Sequence, residues 1–249
     1  MQSSLMEKKN VFVFDDYEAL VNATAELFVK LAEQSIKDRG KFVVSLSGGN
    51  TPKGLYTRLA EKEFASRIDW SRVHVFFGDE RTVAYTSPES NQRMITESLL
   101  SKVPLSRENV FALSDPDLDA QATAIDYERS MHEFFRLEAG EFPQFDFMLL
   151  GLGEDGHTAS LFPGSPALQE CERWFVDNKV EKLNTTRLTM TYPVINHSRN
   201  IIFLGAGKAK AAVLKDVLTG SEGKYPSQNV KAEQGKLYWY LDKEIASEL

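Results

Sequence analysis

Cysteine, histidine, basic charge and long apolar runs are all scarce in this sequence. Cys171 is the single cysteine in 249 residues, so no intramolecular disulfide can form and the fold needs no oxidising compartment. With four histidines and no second cysteine, a structural zinc centre is not expected, and no metal is assigned to any site. No apolar run approaches the length that spans a bilayer. The amino-terminal MQSSLMEKKNVFVFDD lacks the apolar core of a signal peptide. The net charge of −7 argues against a general nucleic-acid or acidic-membrane binder, which needs a basic face. It leaves room for an acidic small molecule held by a local cluster of cations. There is no internal repeat, low-complexity tract or long Gly/Ser linker. These absences lead to the expectation of a cytoplasmic protein with neither nucleic acid nor membrane as partner. Independently of them, a monomer or weak homo-oligomer is expected.

What is present is an ordinary globular composition, 42% hydrophobic and 26% charged, in a chain long enough for a substantial core. No boundary divides it, and residues 1–249 read as a single domain. Short β-rich runs alternate with segments of helical periodicity. VFVF (11–14) precedes a helix over 17–38 that opens on Asp15-Asp16 and closes at Gly40. KFVVSLS (41–47) reads as a buried strand, followed by a helix over 51–62 with Thr51 and Pro52 in its first turn. Further strands are expected at 73–80, 145–153, 187–191, 200–207 and 236–242. Further helices are expected at 87–102, opening on Ser87 and Pro88, at 118–138, and from Lys208 to Gly220. This alternation predicts an α/β protein: a three-layer αβα, Rossmann-like fold with a mostly parallel central sheet.

Four of the strands end in glycine and polar residues, and in an open parallel sheet ligands bind at such carboxyl ends. Ser47-Gly48-Gly49-Asn50-Thr51 joins a strand to a helix. Its glycines let backbone approach an anion, and the helix start supplies free N–H groups. It is neither a Walker loop nor the dinucleotide fingerprint. In Gly78-Asp79-Glu80-Arg81, Arg81 is a two-pronged donor for a phosphate or carboxylate. Asp79 or Glu80 could hold it, orient a sugar hydroxyl or cap the next element; a plain surface ion pair is the simpler reading of the stretch alone. In Gly151-Leu152-Gly153-Glu154-Asp155-Gly156-His157, His157 is a proton acceptor and donor near neutral pH, and Asp155 is placed to fix its tautomer or position a water. No Gly-x-Ser-x-Gly elbow accompanies it, which weakens a serine-hydrolase reading. His74, His132 and His197 read as structural. Lys208 starts the helix after GAG, where a cation opposes the helix dipole unless an anion is bound. Arg187 adds a second cation, and Lys210 reads as surface.

The blocks SLSGGNTP, FFGDERTV, SPESN, GLGEDGHTASLFPGS, RLTMTYPVIN and GAGKAKA stand in the order and spacing of the 6-phosphogluconolactonases, and the chain resembles that family from about residue 10 to 243. The resemblance implies hydrolysis of 6-phospho-D-glucono-1,5-lactone to 6-phosphogluconate, the second step of the oxidative pentose phosphate pathway. It implies no cofactor. On this basis His157 and Asp155 are the catalytic pair, and Ser47, Gly48, Gly49, Asn50, Thr51, Asp79, Arg81, Arg187 and Lys208 bind the phosphorylated substrate. The sister glucosamine-6-phosphate deaminases share the Asp-Gly-His motif but follow it with Ile-Ala-Phe-Asn-Glu-Pro. Here Phe162 stands where that Glu would be, and Arg81 where the deaminases have Tyr. Glu154 departs from the Pro or Asp common in lactonases. A sugar-phosphate sensor on the same fold would carry an added domain or lack the histidine, and neither is the case here.

Overall fold

The computed structural model describes residues 10–114 and 116–249. Six strands form a parallel sheet in the order β1-β9-β8-β5-β2-β3. These are β1 (Val11–Phe14), β2 (Phe42–Leu46), β3 (Val73–Phe77), β5 (Phe147–Leu150), β8 (Asn200–Gly205) and β9 (Lys236–Asp242). β2 and β5 are buried along their whole length, as expected of central strands covered on both faces. Rings from successive layers interlock there: Phe28 meets Phe42 and Phe147 edge to face, each at 5.0 Å between centroids. Such pairs add about 0.5–1.5 kcal/mol beyond area burial and give the central strands a rigid seat.

The longest helix, α1 (Tyr17–Arg39), is capped by the Asp16 side chain, which accepts the Ala19 N–H at 2.8 Å, and it closes at Gly40. α2 (Asn50–Ala60) returns from β2, followed by α3 (Lys62–Ala65). α4 (Asn91–Ile95) runs into a π-helical turn over Thr96–Leu100. α5 (Ala120–Phe135), α6 (Tyr192–His197) and α7 (Ala211–Thr219) complete the set among the described residues. The helix expected from Ser87 begins later, at Asn91. Ser90 supplies the cap, its hydroxyl accepting the Arg93 N–H, while Ser87 organises the turn before it.

Two departures from the sequence reading shape the site. The strand expected over 73–80 breaks at Gly78, and its end leaves the main sheet as β4 (Asp79–Arg81). β4 joins an antiparallel second sheet, β4-β7-β6, with β7 (Thr185–Met190) at its centre. Its other edge, β6 (Phe175–Val180), was not expected at all. FVDNKV is half polar, with Asp, Asn and Lys of low strand propensity. Its order comes from pairing with β7 along its whole length, from Phe175↔Met190 to Val180↔Thr185.

The connections define where a ligand can sit. β2 leads outward to β3, whereas β5, its neighbour on the other side, leads outward to β8. The crevice between the carboxyl ends of β2 and β5 is therefore the topological switch point, the usual ligand position in open α/β sheets.

Candidate active site

The turn after β2 is held from two sides. Tyr56 on α2 is fully buried, and its hydroxyl accepts the Ser47 N–H at 3.1 Å and donates to the Ser47 carbonyl at 2.6 Å. Burial pushes its pKa up, so it stays a neutral strut. From outside, the Tyr17 hydroxyl donates to the Thr51 carbonyl at 2.9 Å. Ser47 is buried and its hydroxyl has no protein partner. Asn91 packs so closely over this turn that a Cβ on Gly48 would lie 1.8 Å from its Oδ1. Glycine is thus required there by contact rather than by backbone angle.

The loop after β5 folds back on itself. Gly153 N–H donates to the His157 carbonyl at 2.9 Å, and Gly156 N–H to the Gly153 carbonyl at 3.0 Å. Asp155 accepts the His157 backbone N–H at 3.3 Å and lies 2.6 Å from its Nδ1. A carboxylate there accepts a hydrogen bond from Nδ1–H, which keeps the proton on Nδ1 and leaves the lone pair on Nε2, the state a general base needs. Lys182, on the turn between β6 and β7, donates to the other Asp155 oxygen at 3.1 Å. Partial burial works to raise the Asp155 pKa, but the hydrogen bonds from His157 and Lys182 outweigh it and the net shift is downward. The imidazole lies flat on Phe162, ring centroids 4.1 Å apart. A Cβ on Gly153 would meet the same ring at 2.1 Å.

The turn after β3 contributes Asp79, Glu80 and Arg81. Asp79 is buried; its Oδ2 accepts the Ser160 hydroxyl at 2.8 Å and its carbonyl accepts Asn91 Nδ2 at 3.0 Å. Glu80 is wholly buried and points away from solvent into the start of α4. Burial raises its pKa, opposed by hydrogen bonds from the N–H groups of Gln92, Asn91 and Arg81. Of the three roles open to these acids in the sequence, Glu80 therefore caps the next element. Arg81 donates Nη1 to the Glu89 carbonyl at 2.8 Å.

These three turns and the segment after β8 enclose a cavity of about 250 Å³. Ser47, Gly48, Gly49, Asn50, Thr51, Asp79, Arg81 and His157 all line it, as do Asn91, Ala159 and Lys210. Asp155 stands behind His157. Arg187 is not in the wall, but it is the direct cross-strand partner of Arg81 in the β4–β7 pair. The two lysines trade places relative to the sequence reading. Lys208 is exposed and outside the wall, whereas Lys210, read as surface, is half-buried and lines it. The cause is local: residues 208–210 form a 3₁₀ turn before α7, and two residues along it turn the side chain to another side. Larger hollows, of about 530, 390 and 670 Å³, lie at the amino ends of the sheet, between α2 and α4, and beside α7; none gathers strand carboxyl ends or His157.

The electrostatics favour an anion. Burial lowers the pKa of Arg187, and nearby Arg81 lowers it further, with Asp79, Glu89 and Glu80 opposing. Burial also lowers that of Lys210, with Glu154 opposing. Among the described residues neither makes an ion pair within 4.0 Å. Desolvated, mutually repelling cations beside glycine backbone gain most when a dianion arrives. The other histidines are engaged elsewhere: His74 packs on Phe134, His132 stacks on Trp174, and His197 bonds to the Pro193 carbonyl through Nδ1. Sequence reasoning missed Lys210, Asn91, Tyr56 and Lys182. Asn91 and Lys210 lie inside the quoted blocks SPESN and GAGKAKA, but only the fold turns them inward.

Fold and site together define an open α/β protein with a cavity lined by glycine turns, Arg81 and Lys210 and a histidine–aspartate pair at its topological switch point. The glucosamine-6-phosphate isomerases/6-phosphogluconolactonase family matches residues 15–239, and the chain belongs to that family. A 6-phosphogluconolactonase of Nostoc sp. is 40% identical over 97% of this chain and 99% of its own length. The chloroplastic 6-phosphogluconolactonase 3 of Arabidopsis thaliana is 38% identical over 98% of this chain and 76% of its own. Among solved structures, 6-phosphogluconolactonase from Trypanosoma cruzi superposes with a TM-score of 0.86 at 31% identity, covering 96% of each chain. No helix among the described residues is long and apolar enough to cross a membrane.

Proposed function

We propose that this protein hydrolyses 6-phospho-D-glucono-1,5-lactone to 6-phosphogluconate, in the cytoplasm as part of the oxidative pentose phosphate pathway. The observation that carries the reading is His157, 2.6 Å from Asp155 behind it, lining the same cavity as the Ser47–Thr51 turn and the cations Arg81 and Lys210. The 6-phosphate sits against the turn, with Arg81, Arg187 and Lys210 supplying positive charge. Lys210 takes the place that the sequence alone assigned to Lys208. Asp155 holds Nδ1–H, so Nε2 accepts a proton from water as its oxygen bonds to C1. The C1 carbonyl pair moves to oxygen and forms a tetrahedral oxyanion. As that pair returns, the C1–ring-oxygen bond breaks, and the leaving oxygen takes the proton back from Nε2. The carboxylic acid then ionises. No covalent enzyme intermediate is required, and general base followed by general acid chemistry at one imidazole is sufficient for an ester this labile.

The deaminase alternative is disfavoured by Phe162. The deaminase Glu would occupy this position, and here an apolar ring is stacked on the histidine instead. The test is lactone hydrolysis at mildly acidic pH, where spontaneous opening is slow, with the lactone generated in situ. Wild type is expected to exceed the background by a wide margin and His157→Ala to lose about 10²–10⁴ of that rate. A His157→Ala enzyme with near-normal turnover would end this mechanism, and ammonia release from glucosamine 6-phosphate would establish the sister activity in its place.

A further inference from the structure

Glu80 touches neither the cavity nor His157, yet it is the most completely buried acid at the site, with no exposed surface. Its carboxylate is saturated. Oε1 accepts the backbone N–H of Arg81 at 2.7 Å and of Asn91 at 2.8 Å. Oε2 accepts the N–H of Gln92 at 2.8 Å and the Ser90 hydroxyl at 3.0 Å. Four donors converge on one side chain from two segments: β4, and the start of α4. Between them lies the 82–90 loop. That loop supplies the Glu89 carbonyl on which the Arg81 guanidinium rests. Glu80 thus fixes Arg81 twice, through its own backbone and through the end of the loop that holds its head group. The same knot seats Asn91, which donates to the Asp79 carbonyl and packs over Gly48.

We propose that Glu80 is a positioning residue for substrate binding: its buried carboxylate clamps β4 to α4 so that Arg81 is presented to the phosphate of the substrate. The inference rests on the reading of Arg81 as a phosphate-binding residue. A loose arginine would need to be ordered by each incoming ligand, so the clamp acts on affinity, not on the proton transfers at His157. Charge matters as well as shape, because both oxygens act only as acceptors. A glutamine can satisfy one pair of donors, but its NH₂ group then faces the other pair, and a buried N–H is orphaned.

The experiment is Glu80→Gln, Arg81→Ala and the double variant, with steady-state lactone hydrolysis and calorimetric binding of 6-phosphogluconate. Glu80→Gln is expected to raise KM and weaken product binding about tenfold while kcat stays within about twofold. In the Arg81→Ala background the same change is expected to add no more than about twofold, since its effect passes through Arg81. General structural damage would instead lower kcat with KM unchanged, and would add fully to Arg81→Ala; either result overturns the inference. If Arg81→Ala itself leaves product affinity intact, the phosphate reading of Arg81 falls and the clamp with it. If Arg81→Ala weakens binding and Glu80→Gln does not, only the clamp falls. Should Glu80→Gln fail to fold, Ser90→Ala keeps the carboxylate and removes one donor. It is expected to shift KM the same way by a smaller factor, and an unchanged KM would refute the clamp.

Discussion

Replacing Asp155 by Asn tests the central geometry without removing the base. The carboxylate lies 2.6 Å from Nδ1 of His157, with about a quarter of its side chain exposed. Asparagine keeps an acceptor oxygen at nearly the same place but loses the charge that stabilises the imidazolium formed in the transition state. A hydrogen bond to a charged group is worth about 1.5–3 kcal/mol, against about 1 for a neutral one. Losing the difference plus part of the tautomer preference costs about 1.5–2.5 kcal/mol. At about 1.4 kcal/mol per decade this is about 10- to 70-fold in kcat. KM should change little, because Asp155 stands behind the histidine and away from the phosphate. The assay is initial-rate lactone hydrolysis with the spontaneous rate subtracted. An Asp155→Asn enzyme with wild-type kcat would show that the pair does not act in the chemistry; a loss confined to KM would place Asp155 in binding. Stability supplies a second readout. The Asp155 pKa is lowered in the folded state, so its contribution is fully present above the usual Asp range and is lost as pH falls through the lowered value. The Tm difference between wild type and Asp155→Asn should therefore hold near neutrality and vanish in strong acid.

Two further outcomes follow from the geometry. In Gly153→Ala the added Cβ falls 2.1 Å from the imidazole, so the ring must leave Asp155; kcat should drop about 10²-fold or more with product affinity retained, as calorimetry would show. Lys210→Ala should raise KM for the phosphorylated lactone about tenfold, whereas Lys208→Ala should change it by less than about twofold, and the reverse ranking in steady-state kinetics would refute the cavity assignment.

Much of the fold could be read from local pattern. Asp16 and Gly40 bound α1 where the sequence places them, because caps and left-handed stops are short-range physics. β2 and β5 stand out as apolar runs ending in glycine, since a strand buried on both faces has no polar side to confuse the pattern. The second sheet was not legible in the same way. β6 is held by its partner more than by its own residues, and β4 is three residues long, set apart by the break at Gly78. Of the proposed site, the strand-end turns and the His157–Asp155 spacing are visible in sequence, because a two-residue interval fixes what can touch. The lysine assignment is not visible, because a 3₁₀ turn and a helical turn orient Lys208 and Lys210 differently from the same letters.

The sequence by itself determined the alternation of elements, the glycine turns at strand ends and the family to which the chain belongs. The first two follow from nearest-neighbour backbone preferences and hydrophobic period; the family shows in the order and spacing of the motif blocks. Only the tertiary structure decided that Arg81 faces Arg187 across more than a hundred residues, that Lys210 and not Lys208 borders the cavity, and that Glu80 is a buried clamp. Each depends on which distant strand or helix arrives alongside. That is set by burial and hydrogen-bond satisfaction over the whole chain, and no local window of sequence contains it.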